Sequence, residues 1–406
     1  MGPRERIILH ADMNSYFATV EQQANPLLRG RPIAVGGSLS SRTVVAAASV
    51  EAKKFGVKSG MPLGKAMGLC PGLIVVEGDQ DKYMELTTRI FRILRDYTPL
   101  LELFSIDEAF LDITDTCERF GGSLEVALGI KRRLREEIGE WIRCSIGIGP
   151  SKIIAKLASE LKKPDGLVMV EKGEIGALLG RMKLSDLCGI GERMEKRLID
   201  AGIDTIEKLR AAPVEHLVRR FGITGHVLHR MSLGEDSSPV LPYYESPPYK
   251  SMGHHYTFPR DLEDLEEVKR TLLRLSEQVG RRLRAQHYAG KTITLTLRAF
   301  DFFSHRRQRT IGDYIDDGYR IYTEACAIME SLAFRGAVRM IGVSVSSLVK
   351  EYRPLPLFDD ERKAHFLLEA LDRINDRYGE FTILRASITG TRLRKRTGGY
   401  VGVKKR

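Results

Sequence analysis

Two adjacent carboxylates, Asp107 and Glu108, sit inside an otherwise largely apolar stretch from Leu103 to Asp112. This stretch limits the fold more than any other. The Leu, Phe, Ile and Ala around it read as strand, with the pair where a hairpin turns or a strand twists. Neighbouring side chains on a regular strand point to opposite faces, so a turn or bulge must bring both acids to one spot. Two carboxylates held together repel, and burying them is costly unless a cation or proton is shared. Two readings stand at this point: a divalent-metal site, or an acidic hairpin turn in solvent.

A third acid bears on the choice. Residues 7–13 read as a buried strand ending at Asp12 and Met13, and α/β proteins place ligands at the carboxyl ends of strands. Residues 14–23 have helical spacing. A second strand over 31–37 precedes a strand or strand-to-helix junction over 42–48. A short helix follows, stopped by Gly56. Lys53 and Lys54 on that helix are candidates for meeting phosphate, with a solvated helix face as the alternative. Amphipathic helices over 81–97 and 124–138, a strand over 144–149 and a helix from Lys152 complete an α/β or α+β half. That helix must stop at the turn Lys163-Pro164-Asp165-Gly166. Lys163 precedes a proline, so it is extended and free to project into a site.

The pattern changes near residue 168. Gly189-Ile190-Gly191 ahead of a basic helix over 192–201 resembles a helix-hairpin-helix turn. Free N–H groups in such a turn bind an anion; a plain turn between packed helices is the alternative. Residues 236–249, rich in Pro, Ser and Tyr, read as an interdomain linker. Beyond it come an amphipathic helix over 262–284, a half-exposed strand over 291–299 and the basic run Arg306, Arg307 and Arg309. A helix over 321–332 and a strand over 340–346 close a small α+β domain suited to a phosphate backbone. Residues 246–348 hold 16 Lys/Arg against 12 Asp/Glu, and residues 349–406 hold 14 against 8. Nearly all of the net +11 is therefore in the C-terminal two-fifths, as a grip on a polyanion requires. Leu355, Leu357 and Phe358 lie among prolines and read as a short apolar docking anchor. Residues 391–406 are basic and Gly-rich and read as disordered.

No apolar run approaches the roughly 20 residues of a membrane helix, and no signal peptide is recognisable. Cys70, Cys117, Cys144, Cys188 and Cys326 are scattered without zinc-ligand spacing. That usage fits a reducing, cytoplasmic setting.

Five motifs occur in one order: residues 10–18 (HADMNSYFA), 51–57 (EAKKFGV), 105–112 (SIDEAFLD), 147–152 (GIGPSK) with Lys156 and Lys163-Pro164, and the Gly189-Ile190-Gly191 hairpin. With them the chain resembles the Y-family of translesion DNA polymerases, within it the bacterial DNA polymerase IV-like group, over residues 6 to about 390. The resemblance implies an α+β multidomain right hand. The palm covers 1–20 and 79–167, the fingers 21–78 and a helix-hairpin-helix thumb 168–235. A linker at 236–248 leads to an α+β little finger at 249–348 and a tail at 349–406. It implies a low-fidelity, template-directed polymerase that adds dNTPs to a primer past DNA damage, acting as a monomer on primer-template DNA. Two Mg²⁺ ions are implied, with Mn²⁺ able to replace them. Their ligands are Asp12, the Met13 carbonyl, Asp107 and Glu108, and Glu108 is the acid nearest the primer hydroxyl. Phe17 matches the steric gate against ribonucleotides. Tyr16, Lys53 and Lys163 fall at the nucleotide, and Gly189, Gly191, Arg306, Arg307 and Arg309 at the DNA backbone. Leu355, Leu357 and Phe358 resemble the end of a sliding-clamp-binding peptide, with Pro354 where a leading Gln is usual. Val50 and Lys53 stand where many members carry Tyr and Arg, Asn14 where a second Asp is common, and Ser151 where Asn is usual. Lysine lacks arginine's bidentate fork. A catalytically silent DNA-binding scaffold is the rival reading, and the presence of all three acids speaks against it.

Overall fold

The computed structural model describes residues 5–37, 42–245, 247–332, 334, 336–351 and 359–389. They fall into two compact units, residues 5–37 with 43–245, and residues 247–389.

The first unit opens with β1 (Ile8–Met13) and α1 (Tyr16–Ala24). A small sheet follows from β2 (Ile33–Gly36), β3 (Ala47–Ala48) and β4 (Ile74–Glu77), in the order β3-β2-β4. Helices α2 (Val50–Lys53) and α3 (Leu63–Leu69) pack on it through Ala52, Val57, Leu63 and Ala66. Helix α4 (Gln80–Arg95) returns the chain to β1. Strands β5 (Leu101–Leu103) and β6 (Glu108–Asp112), helix α5 (Ser123–Arg133), β7 (Cys144–Gly149), α6 (Lys152–Leu161) and β8 (Leu167–Met169) then complete a five-stranded sheet ordered β5-β6-β1-β7-β8.

Both faces of this sheet are covered, which explains why β1 is buried almost throughout, His10 included. Leu9, Ala11 and Met13 face α4 and α5, meeting Ile90, Leu94, Val126 and Ile130. Ile8, His10 and Asp12 lie on the α6 face, where Ile8 packs with Phe110 and Ala155. Gly147 lets α6 approach, because a Cβ there would lie 2.0 Å from the Ala155 carbonyl oxygen and 2.4 Å from the Ser159 nitrogen. The outer side of α6 carries Ile154 and Leu157 into a second core with Leu179, Leu198, Leu209, Leu217 and Leu228. These come from five short helices, α7 (Ile175–Leu179), α8 (Glu192–Ile199), α9 (Ile206–Ala211), α10 (Val214–Phe221) and α11 (Thr224–Ser232). Helix α6 thus belongs to two cores at once.

The segment after α11 has no regular structure, as a linker should, but much of it is fastened to the palm. The Arg6 guanidinium donates to the carbonyls of Asp236 and Ser238 at 3.2 and 3.0 Å. Val240 is buried with Ile8 and Phe110, and the Leu241 N–H donates to Glu102 at 3.0 Å. One buried apolar side chain and three hydrogen bonds thus anchor a stretch whose composition reads as free chain.

The second unit is an antiparallel sheet ordered β11-β10-β12-β9, from β9 (Ser251–Leu262), β10 (Tyr288–Ala299), β11 (Ser304–Ile315) and β12 (Val338–Lys350). Helices α12 (Leu265–Ala285) and α13 (Gly318–Ser331) cover one face through Leu272, Leu275, Val279, Ile321 and Ile328. Strand β10 is central, so the half-exposed strand expected there is buried on both sides from Thr292 to Leu295, while Thr296 and Arg298 stay partly exposed. Thr292 and Thr294 are buried, and the Thr292 hydroxyl bonds to Thr310 and Ser347, 3.0 Å each. Strand β12 runs into the expected tail, to Lys350, and residues 366–378, whose sequence reads as helical, lie within α14 (Asp359–Tyr378), which packs back on α12. Arg284 grips Asp372 at 2.6 and 3.0 Å, Arg281 meets Asp376 at 2.6 Å, and Arg385 meets Glu277 at 2.6 Å. Leu355, Leu357 and Phe358 lie outside the described residues, as do residues 391–406.

Candidate active site

Strands β1 and β6 pair antiparallel with Asp12 opposite Glu108, so both side chains share the α6 face. Asp107 precedes β6 and would point away on a regular strand. The turn from Leu103 to Glu108 resolves this. The N–H groups of Phe104 and Ser105 both donate to the Glu108 carbonyl at 3.1 Å, and the Met13 N–H donates to the Asp107 carbonyl at 2.9 Å. Asp107 now lines the same cavity as Asp12. The turn that the adjacent acids demanded is present.

Each acid has a different environment. Burial pushes the Asp12 carboxyl up, and Lys163, 3.0 Å away, pulls against it. Burial also pushes up Asp107, helped by the Glu108 charge and opposed by a bond from Ser105. Among the described residues no cation stands within ion-pair distance of Asp107. Burial would raise Glu108 as well, but bonds to His10 and Lys156 outweigh it and bring it down to about 2. His10 is fully buried, touching Glu108 at 3.1 Å and Ser159 at 2.9 Å.

Two or three carboxylates and a backbone carbonyl at one strand end are the hard oxygen donors that Mg²⁺ and Mn²⁺ take. A half-buried carboxylate with no cation beside it among the described residues, Asp107, fits that role. As they stand, no three His, Cys, Asp or Glu among the described residues converge closely enough to hold an ion. The reason is visible: Asp12 is turned to Lys163 and Glu108 to Lys156. The two lysines supply positive charge at the outer acids, and their contacts must open for the acids to converge.

Beyond Asp12 and Asp107 lies a cavity of about 560 Å³. Its lining includes Phe17, Ala46, Ala47, Ala48, Val50, Lys53 and Lys163. The first turn of α1, Tyr16 and Phe17, also lines it, and first-turn amides have no partner within their helix. Ser15 ahead of them has left-handed backbone at φ 48°, and its buried hydroxyl has no partner among the described residues. Helix N-termini of this kind accept phosphate. Burial and the neighbouring Lys163 both lower the Lys53 pKa, while Asp12 and Glu160 outweigh burial and raise that of Lys163. Together the two lysines form a cationic wall. Asn14 takes no part as an acid would. Its oxygen accepts the Asp165 N–H at 2.6 Å and its amide donates to Ser145 at 3.0 Å, fixing the turn that carries Lys163.

Tyr16 needs a correction. It is buried, and its hydroxyl is taken up by the Tyr83 carbonyl at 2.9 Å and Thr87 at 2.8 Å. Only its backbone N–H is available to a nucleotide. Phe17 instead stands at the cavity, stacked on Tyr83 with ring centroids 4.2 Å apart and planes 11° from parallel.

The basic residues also divide. Strand alternation sends Arg306 to the open face of the second unit's sheet, in a row with Thr296, Gly342 and His255. Arg298 shares that face, beside Ser304 and Met340. Burial lowers the His255 pKa, and the nearby charges of Arg298 and Arg306 add to it. Arg307 and Arg309 point to the helix side, where Arg307 donates to the Ser331 carbonyl at 2.9 Å and Arg309 meets Glu324 at 3.2 Å. Sequence reasoning grouped all three and missed Arg298; the period of two along β11 was the available signal. In the hairpin, Gly189 has φ +107° and Gly191 caps α8, but the first arm is a single 3₁₀ turn, Leu184–Asp186.

Acids at a strand end, with a lysine-walled cavity sized for a nucleotide beside them, are what transfer between phosphates demands. The class is therefore a nucleotidyltransferase built on a palm. The chain matches the impB/mucB/samB family over residues 11–160, that family's C-terminal domain over 249–357, and the DNA polymerase-iota thumb domain over 185–236. It is 41% identical over 396 residues to a DNA polymerase IV of Pelotomaculum thermopropionicum, covering 97% of this chain and 98% of the relative. A DNA polymerase IV of Moorella thermoacetica is 43% identical over 389 residues, covering 94% and 96%. A solved Y-family DNA polymerase chimera, Dbh-Dpo4(243-245)-Dbh, superposes with a TM-score of 0.75 at 27% identity, covering 85% of this chain and 99% of that one. The chain belongs to the DNA polymerase IV family of Y-family polymerases and is a DNA-directed DNA polymerase. Membership carries dependence on a divalent metal and binding of DNA and dNTPs. Among the described residues no helix is long and apolar enough to cross a membrane.

Proposed function

We propose that the chain extends primers past damaged template bases by in-line phosphoryl transfer, with Asp12, Asp107, Glu108 and the Met13 carbonyl holding two Mg²⁺ ions. The register of Asp12 with Glu108, with Asp107 on the cavity beside them, carries this reading. When bound, the ions lower the pKa of the primer 3′-hydroxyl and neutralise the triphosphate and the departing pyrophosphate. The protein's own contribution is position and fixed charge. Lys53, Lys163 and the first-turn amides of α1 hold the triphosphate, and Glu108 stands nearest the primer hydroxyl. Phe17 faces the sugar and excludes a 2′-hydroxyl. Extension of a primed template by the parent protein and by carboxylate variants tests the whole assignment.

Lys163→Ala is expected to raise the KM for dNTP about tenfold while kcat changes less, as loss of one charge-assisted bond to phosphate implies. Steady-state single-nucleotide incorporation measures it, and an unchanged KM would restrict Lys163 to its contact with Asp12.

For DNA we assign Gly189 and Gly191 to one backbone contact and Arg298 with Arg306 to another. The double variant Arg298→Ala/Arg306→Ala should weaken DNA binding across sequences and reduce the slope of log affinity against log salt by about 2. Arg307→Ala should leave that slope alone, and equal effects of both would sink the division by sheet face.

We further propose that the protein is a cytoplasmic monomer and that Leu355, Leu357 and Phe358 dock on a sliding clamp. Replacing Leu357 and Phe358 by alanine should abolish stimulation by clamp in primer extension. Undiminished stimulation would remove the docking role.

A further inference from the structure

Phe17 can reject a 2′-hydroxyl only if its ring cannot yield. A phenylalanine has two free torsions, and one at the edge of an open cavity can swing unless something backs it. Here Tyr83 lies flat against it, and Tyr83 is itself only 1% exposed. The far end of Tyr83 is fastened. Its hydroxyl donates to Glu21 Oε1 at 2.7 Å, and Lys82 Nζ donates to both Glu21 oxygens at 3.0 and 2.8 Å. Glu21 is one turn beyond Phe17 on the same helix α1. The helix thus grips one tyrosine twice, by ring at position 17 and by carboxylate at position 21. The Gly78 backbone lies beside that ring, where even a Cβ would be in ordinary contact with it at 3.6 Å. A buried carboxylate is costly unless bonded and paired, and Glu21 has both kinds of partner. Nothing in polymerase chemistry uses this carboxylate directly.

We propose that Tyr83 and Glu21 are positioning residues for sugar discrimination, acting through Phe17. The proposal rests on the reading of Phe17 as the gate.

The test compares kcat/KM for a dNTP and its matching rNTP, with the full-length protein on one primed template. Tyr83→Leu is expected to lower the dNTP/rNTP ratio about tenfold, the worth of one aromatic stack, by raising ribonucleotide use. Its dNTP kcat/KM should stay within about twofold of the parent. Tyr83→Phe removes the donor and Glu21→Met the acceptor of that anchor at similar size, and each should lower the ratio about threefold, as one hydrogen bond implies. In a Phe17→Ala background Tyr83→Leu should add nothing to the ratio, a coupling that a merely structural role would not produce. An equal fall for both sugars overturns the proposal, as does an undiminished effect in the Phe17→Ala background. Should Tyr83→Leu fail to fold, the two milder variants decide, and an unchanged ratio in both overturns it. If Phe17→Ala itself leaves sugar selection unchanged, the gate reading falls and the brace with it. If Phe17→Ala raises ribonucleotide use but the Tyr83 and Glu21 variants do not, the brace alone falls.

Discussion

Asp107→Ala should extend a primed template roughly 10³-fold or more slowly than the parent protein at saturating dNTP. Asp107 is the acid with the least to do in the folded chain. It is half-buried, pushed up in pKa by that partial burial, and no cation pairs with it among the described residues. On the proposed reading, a bound metal ion offsets the cost of keeping its carboxylate there. Asp107→Asn keeps the shape and loses the charge, so it should fall nearly as far. Glu108→Ala should also stop extension, but with a second effect. It removes the partner of a fully buried His10 and of Lys156. Unpaired buried groups cost about 1–3 kcal/mol each, so thermal unfolding should shift for Glu108→Ala and hardly at all for Asp107→Ala. Primer extension by gel and unfolding by calorimetry separate the two. If both variants extend as well as the parent, the carboxylates are not the catalytic centre.

Phe17→Ala should lower discrimination against ribonucleotides about 100-fold, leaving dNTP incorporation within a few-fold. The rest of the cavity has little else to reject a hydroxyl. Ala46, Ala47 and Ala48 on its lining are small, and Val50 has no donor or acceptor on its side chain. Discrimination therefore depends on one ring. Competition between a dNTP and its rNTP on the same template reads the ratio directly. Selection that survives Phe17→Ala would move the sugar sensor elsewhere in the cavity.

The palm was legible because its signals are local and redundant. Residues 144–149 were read as a strand with the bounds that β7 has, and the Lys163-Pro164 turn stops α6 as expected. The turn ahead of Glu108 could be argued from the chain alone, since adjacent carboxylates on one strand would otherwise point apart. What escaped was whatever depends on a partner far away in sequence. His10 carries no mark of its contact with Glu108, 98 residues on, beyond lying two positions before Asp12 on one strand face. Glu21 and Tyr83 are 62 residues apart and look like an ordinary helix surface and an ordinary core aromatic. The linker's attachment combines Val240, one apolar residue in a Pro- and Ser-rich run, with hydrogen bonds to Arg6 and Glu102, far away in sequence. Arg306, Arg307 and Arg309 show the opposite error, where nearness in sequence hid a split that the pleat imposes.

Helix α6 has a mechanical consequence. Its backbone presses on β7 at Gly147, its Lys156 holds Glu108, and its Ile154 and Leu157 are built into the thumb's core. A joint made this way is stiff. A polymerase moving along its template needs slack somewhere, and a hinge between palm and thumb at α6 would tug on Glu108, the acid proposed for catalysis, at every opening. The slack has to lie outside this joint. Substitutions that soften the thumb core should accordingly register first as slower chemistry, before they register as looser binding.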